Sequence, residues 1–153
     1  MQREVDLSTQ YTMRFVLGLA VALSAFACSR LPDEVRIRDT IEAMREAAEA
    51  RKASGVLDAI APDFTGRNGE VDRDGLARIL KLEFLRTEAI GVALGPIALE
   101  IDGDRATARF DMTLTDRSRR WLPSGSETYA VVSGWRRDGS GWVCYNAVWT
   151  ANN

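Results

Sequence analysis

Histidine is absent from this chain. That removes imidazole general acid–base catalysis, serine–histidine nucleophilic relays and histidine metal ligation together. Cysteine is nearly absent: only Cys28 and Cys144 occur, far apart and without metal-ligand spacing,. Positive charge is not in excess, since Lys+Arg is 20, Asp+Glu is 22 and the net charge is −2. No basic footprint for nucleic acid follows from that balance. Internal repeats, low-complexity segments, metal-binding spacings and cofactor motifs are likewise missing. The one long apolar run, Phe15–Ala27, falls short of the roughly 20 residues that span a bilayer comfortably.

What is present suits a single globular domain. The 153 residues are 46% hydrophobic and 27% charged, enough to build a core and too apolar for a disordered chain,. Met1–Thr12 is polar and without pattern. Met13 and Arg14 then open a positive n-region ahead of the apolar Phe15–Ala27, and Ala25-Phe26-Ala27 supplies a small-x-small cleavage pattern,. Met13–Ala27 therefore reads as a secretory signal, with Met1–Thr12 an extension upstream of Met13 as the biological start. Leu23-Ser24-Ala25-Phe26-Ala27-Cys28 resembles a bacterial lipobox, although Ala25 stands where Leu is usual and Phe26 is bulky. The resemblance implies a diacylglyceryl thioether on Cys28, a membrane partner through that lipid, and an envelope location facing the periplasm. Ser29, rather than Asp, after the cysteine implies sorting to the outer membrane. Ordinary cleavage after Ala27, with secretion to the periplasm, is the alternative.

Residues 28–32 are a short tether. From Asp33 to Ala53 the apolar positions Ile37, Ile41, Met44 and Ala48 recur at helical spacing, with charged residues on the other face,. Pro32 and the acidic first turn mark the start. Ser54 can cap a short second helix that Pro62 ends. Asn68-Gly69 predicts a small hairpin between Phe64-Thr65-Gly66-Arg67 and Glu70-Val71. Asp72 caps a third helix, Arg73–Arg86, with Leu76, Ile79, Leu80, Phe84 and Leu85 apolar. From Ile90 the period becomes two. Ile90–Ile101 is a strand interrupted at Gly95-Pro96, and Arg105–Thr115 alternates Ala106, Ala108, Phe110, Met112 and Leu114 against polar residues,. Asp116–Ser126 is a basic loop. Arg117, Arg119, Arg120 and Trp121 could grip an anionic partner or lipid headgroups, or simply be solvated. Thr128–Thr150 is an aromatic hairpin whose turn, centred on Asp138-Gly139, sets Trp135 opposite Trp142.

Helices followed by strands give an α+β class. The order, together with Asp63-Phe64, the Gly69–Leu76 segment and the Trp135–Trp149 ending, is similar to the nuclear transport factor 2-like superfamily, which includes SnoaL-like proteins and ketosteroid isomerases. The resemblance covers roughly residues 33–150. It implies a cone-shaped, cystatin-like roll: three N-terminal helices on a curved antiparallel sheet, here of four strands. It also implies that pocket residues come from Asp63, Phe84, Phe110, Tyr129, Trp135, Tyr145 and Asn146. Isomerases of this kind use an Asp base with Tyr and protonated Asp donors, and Asp63 with a Tyr would be the counterpart. No defined catalytic motif accompanies these residues, and packing alone explains each of them. The reading is a binding domain for a small apolar ligand or an envelope protein, with a carboxylate–Tyr enzyme as the alternative. Homodimerisation through the outer sheet face at Thr107, Thr113 and Thr115 follows from the same resemblance. Cys144 reads as a small buried core residue. The anchor has a direct test: Cys28→Ala should shift the protein from the membrane fraction to the soluble fraction on cell fractionation, and unchanged membrane partition would remove the lipid from the account.

Overall fold

The computed structural model describes residues 32–117, 125–139 and 141–152. The expected signal sequence, Cys28 and the expected tether up to Leu31 lie outside the described residues, as do Arg119, Arg120 and Trp121 of the basic loop. Three helices precede most of the strands. They are α1 (Asp33–Glu49), α2 (Ala53–Leu57) and α3 (Arg73–Arg86). The strands are β1 (Ile60–Gly66), β2 (Val71–Asp72), β3 (Ile90–Leu94), β4 (Ala98–Asp102), β5 (Arg105–Asp116), β6 (Ser126–Asp138) and β7 (Gly141–Ala151).

The helices start where the sequence predicts. Pro32 precedes α1, and Asp33 and Glu34 occupy its first turn. Ile37 and Ile41 of α1 are buried in the core. The Asp72 carboxylate accepts the Gly75 N–H at 2.6 Å and caps α3,. The short α2 differs from expectation. It begins at Ala53, has no side-chain cap, and Pro62 lies inside β1 rather than ending the helix.

The sheet is larger than the four antiparallel strands expected. It has seven, ordered β2-β1-β7-β6-β5-β3, with β4 also paired to β5. The small hairpin is not a free appendage, because β1 pairs with β7 in parallel. A strand added in parallel has no local sequence signal, which is why the hairpin reads as isolated. Its pairing slips between Ile60 and Thr65, and Pro62, which has no N–H to donate, falls in that irregular stretch. Gly95-Pro96 separates β3 from β4, and both pair with β5.

Register follows the alternation on β5. Ala106, Ala108, Phe110 and Met112 face Trp135, Ser133, Val131 and Tyr129 of β6. Those residues make the concave side, under the helices. At the tip, Asp138 pairs with Gly141. The turn is thus one position later than Asp138-Gly139, and Gly139 takes the positive φ of 55° that a primed turn requires,. Trp135 consequently faces Cys144 and not Trp142, and a bulge follows between Trp135 and Gly134. Both indoles still point inward. Trp135 is 2% exposed and Trp142 4%. They pack with Ile37, Ile41, Ile60, Phe64, Ala106, Ala108 and Cys144 in one core cluster.

The side chain of Arg137, on the same face as Trp135, locks α1 onto this hairpin. It binds Asp33 through two hydrogen bonds at 2.9 and 2.6 Å and lies 4.8 Å over the Trp142 ring. The Trp142 N–H donates to Asp33 at 3.0 Å. These donors hold the Asp33 carboxyl at about 2, below its ordinary 3.8,. A depressed folded-state value means that the stabilisation is complete above 3.8 and is lost as pH falls through 2,. Asp33→Asn should therefore melt below the wild type near neutrality, with the gap closing between those two pH values. A gap that stays constant down to pH 2 would contradict the linkage.

Candidate functional site

The concave side has two parts. Its deep part, around Trp135, is filled. Its other part is the stretch of β5, β6 and β7 beyond Ala108. There Phe110, Met112, Leu114, Tyr129 and Trp149 face inward yet remain only half-buried. The Trp149 ring reaches across to β1. A methyl placed on Gly66 would sit 3.1 Å from its edge and 3.0 Å from Phe64, so a side chain there would push one of the rings back by a few tenths of an ångström. The result is a mostly apolar, partly solvated surface at one end of the roll.

One polar pair stands on that surface. The Tyr129 hydroxyl donates to the Glu127 carboxylate. The two residues are i and i+2 on β6, opposite Met112 and Leu114, so both side chains belong to the inner face. Hydrogen bonding to Glu127 raises the Tyr129 phenol above its ordinary 10; burial adds to this, as do the charges of Glu127 and, from α3, Glu83,. Arg67 opposes the rise. The pair is thus an acceptor-rich handle, with a free carboxylate oxygen and the lone pairs of a neutral phenol. Glu127 escapes a sequence reading focused on aromatic residues, though its parity with Tyr129 is the signal that would find it.

The other expected pocket residues divide. Trp135 is inside but belongs to the core, with its N–H donating to the Ser133 hydroxyl at 2.9 Å. Phe84 is buried beneath α3. Asp63, Tyr145 and Asn146 are not on the concave side. Asp63 is exposed and forms a doubly hydrogen-bonded ion pair with Arg136, at 2.6 and 2.8 Å. That pairing holds its carboxyl below the ordinary value of 3.8. A carboxyl so held is a poor proton acceptor near neutrality. Tyr145 is the extra residue at the β6–β7 bulge. Its ring lies against Arg105 and Arg136, 5.0 and 5.9 Å from the guanidinium carbons. A methyl on Gly134 would stand 2.3 Å from the Asn146 carboxamide oxygen and 3.0 Å from the Tyr145 hydroxyl. Both side chains therefore cover Gly134 on the convex face. The bulge sets two consecutive side chains on one face, where alternation would leave one of them in the cone, and alternation alone cannot register an inserted residue,.

Arg117 of the basic loop packs over Gly91 of β3, and its charge helps lower the Glu49 carboxyl. Glu49 itself accepts the Val92 N–H at 2.9 Å and pairs with Arg45 at 2.6 Å. Arg117 is thus part of the scaffold joining α1 to β3. Cys144 is buried, and burial pushes its thiol up to about 12, so it is inert,. Among the described residues no group of three or more Cys, Asp or Glu could hold a metal ion, and no helix is long and apolar enough to cross a membrane.

No family model and no curated protein matches the chain. Solved structures do. A candidate scytalone dehydratase from Novosphingobium aromaticivorans superposes with a TM-score of 0.70 at 10% identity, covering 78% of this chain and 84% of that one. A candidate dehydratase of the NTF2-like family from Streptomyces avermitilis gives 0.68 at 15% identity, covering 78% and 96%. An NTF2-like protein of unknown function from Pseudomonas putida gives 0.68 at 19% identity, covering 78% and 86%. Helices grouped on one side of a curved, mostly antiparallel sheet define an α+β roll. The particular roll is the nuclear transport factor 2-like, or cystatin-like, fold.

The Tyr129–Glu127 bond can be read by titration. The phenol transition lost in Tyr129→Phe should lie above pH 10, and Glu127→Gln should move it down toward 10, followed by phenolate absorbance. Loss of a transition at the ordinary value would show that the pair does not form.

Proposed function

We propose that this chain is an envelope-anchored binding protein whose nuclear transport factor 2-like domain takes a small apolar ligand carrying a hydrogen-bond donor. The lipid on Cys28 holds it to the membrane, on the periplasmic side of the outer membrane. One observation carries the ligand reading: an apolar inner surface of Phe110, Met112 and Trp149 that stays partly exposed around a single acceptor-rich pair. Ligand sites commonly combine an apolar lining with a few placed polar groups, and this surface has that composition. Phenyl, indole and thioether groups supply dispersion contacts to a flat ligand. Glu127 and Tyr129 accept a hydrogen bond from its hydroxyl.

A second reading rests on the same pair. Two structural neighbours are described as candidate dehydratases. By analogy alone, Glu127 would then take a proton from a bound substrate beside neutral Tyr129. Asp63 is not the carboxylate of that reading, because Arg136 engages it on the other face.

2-Naphthol and its O-methyl ether separate these ideas from non-specific stickiness. The free hydroxyl should tighten binding about fivefold to tenfold in the wild type, the worth of one hydrogen bond. That advantage should disappear in Glu127→Gln combined with Tyr129→Phe, with the ether unaffected, measured by isothermal titration. Equal binding of both probes by the wild type would contradict the handle.

A further inference from the structure

A cavity lies apart from the half-exposed surface around Tyr129, and we propose that it binds an organic cation: an ammonium or guanidinium group on a short apolar stem. The cavity is a groove of about 550 Å³ between α1, α2 and the start of β7. That volume falls in the range of roughly 300–1,000 Å³ typical of small-molecule sites. Its walls are Ala43, Met44 and Ala47 of α1 with Gly55 and Ala59 from the α2 side, and Trp142 lies at its floor. Every one of these is apolar or small, so the groove offers surface to a hydrocarbon stem and nothing for a polar one.

The rim is charged with one sign. Asp39 and Asp58 stand on the two opposite walls, both exposed, and neither carboxylate has a hydrogen bond or ion pair among the described residues. Thr40 is the other polar lining residue, and its hydroxyl is already committed to the Arg36 carbonyl at 2.8 Å. Of the cations nearby, Arg137 and Arg73 are engaged elsewhere, and Lys52, beside Gly55, makes no ion pair with either carboxylate. Arg36, three residues before Asp39, makes no ion pair with it and acts on Asp33. Arg137 is taken by Asp33 and the Trp142 ring. Arg73 donates to the carbonyls of Leu57 and Ile60. Two unmatched carboxylates above an apolar trough thus complement a positively charged head with an apolar tail, whereas an anion or a purely polar solute meets repulsion or no partner. Such a head is presented by a lysine or arginine side chain of a peptide or by a free alkylamine. The chemistry is the same for both.

Hexylammonium, hexanoate and 1-hexanol share a stem and differ in charge, so they isolate the contribution of the rim. Titrated into the ¹⁵N-labelled full chain at low salt, hexylammonium should bind with a dissociation constant on the order of millimolar. It should shift the amides of Ala43, Ala47, Gly55 and Ala59 and the Trp142 indole N–H. Hexanoate should leave those signals in place. Asp39→Asn with Asp58→Asn, both exposed changes that leave the core intact, should weaken hexylammonium about fivefold, as two exposed ion pairs allow. An acetylated Lys-Ala-Ala tripeptide should move the same amides if a peptide side chain fits the groove as an alkylamine does; a silent tripeptide with a bound amine assigns the site to free amines. Equal shifts from hexanoate, an unchanged affinity in the double variant, no shift at all, or shifts confined to Met112 and Tyr129 would each overturn the proposal. The last result would place the amine in the concave site instead, while the proposal for that site rests on the naphthol pair and is untouched by a silent groove.

Discussion

The buried Trp135 indole is the constraint on which the rest of the structure depends. It sits near the end of β6, is the largest fully buried side chain together with Ile37, and packs with Ile37 and Ile41 of α1 and with Ile60 and Phe64 of β1. An indole carries a polar N–H into that core, and Ser133, the only buried polar residue among those described, is there to accept it. Ser133 in turn leans on the Ala108 carbonyl at 3.5 Å. The pair explains a polar residue in an otherwise apolar interior, since an unmatched indole N–H would be costly there. Truncation of a buried Trp typically costs about 3–5 kcal/mol, a large share of the marginal stability of a domain this size.

The two residues after Trp135 extend its influence to both faces. Arg136 points outward and grips Asp63 of β1; Arg137 points inward and grips Asp33 of α1. Consecutive arginines on one strand thereby fasten the parallel strand β1 and a helix N-terminus to the same hairpin. Opposite them, the bulge between Gly134 and Trp135 inserts Tyr145 and turns it, with Asn146, onto the convex face. The geometry that packs the core is therefore the geometry that removes three polar residues from the concave side. Glu127 and Tyr129, further along β6 where the strand is regular, keep their places inside.

Much of this was legible from residue pattern alone. Helical spacing of Ile37 and Ile41, the Asp72 cap and the alternation of Ala106 to Leu114 are local signals, and the elements form where they predict. The Asp-Gly turn located the hairpin but misplaced its register by one position. A primed turn can centre on Gly139 as easily as on Asp138, and strand pairing decides between them. The parallel β1–β7 pairing and the pairing of β3 with the far end of β5 are long-range, so no window of sequence carries them, whereas β4 joins β5 through a two-residue turn at Gly103-Asp104. The site was the least legible part. Phe110 follows from the alternation of β5, whereas Tyr129 came only from the family resemblance; an ion pair turns Asp63 away and a bulge turns Tyr145 away, and Glu127 was overlooked because an exposed carboxylate near a strand end looks like any other.

One roll thus holds a sealed core around Trp135 and a partly exposed apolar surface around Tyr129, and the proposed ligand binds at the second. Nuclear Overhauser contacts between bound 2-naphthol and the protein's methyl groups test that division directly. Contacts to the methyls of Met112 and Val131, with none to Ile37 and Ile41, are the predicted result. Contacts to Val132 and Val148, which point to the convex face, would contradict it.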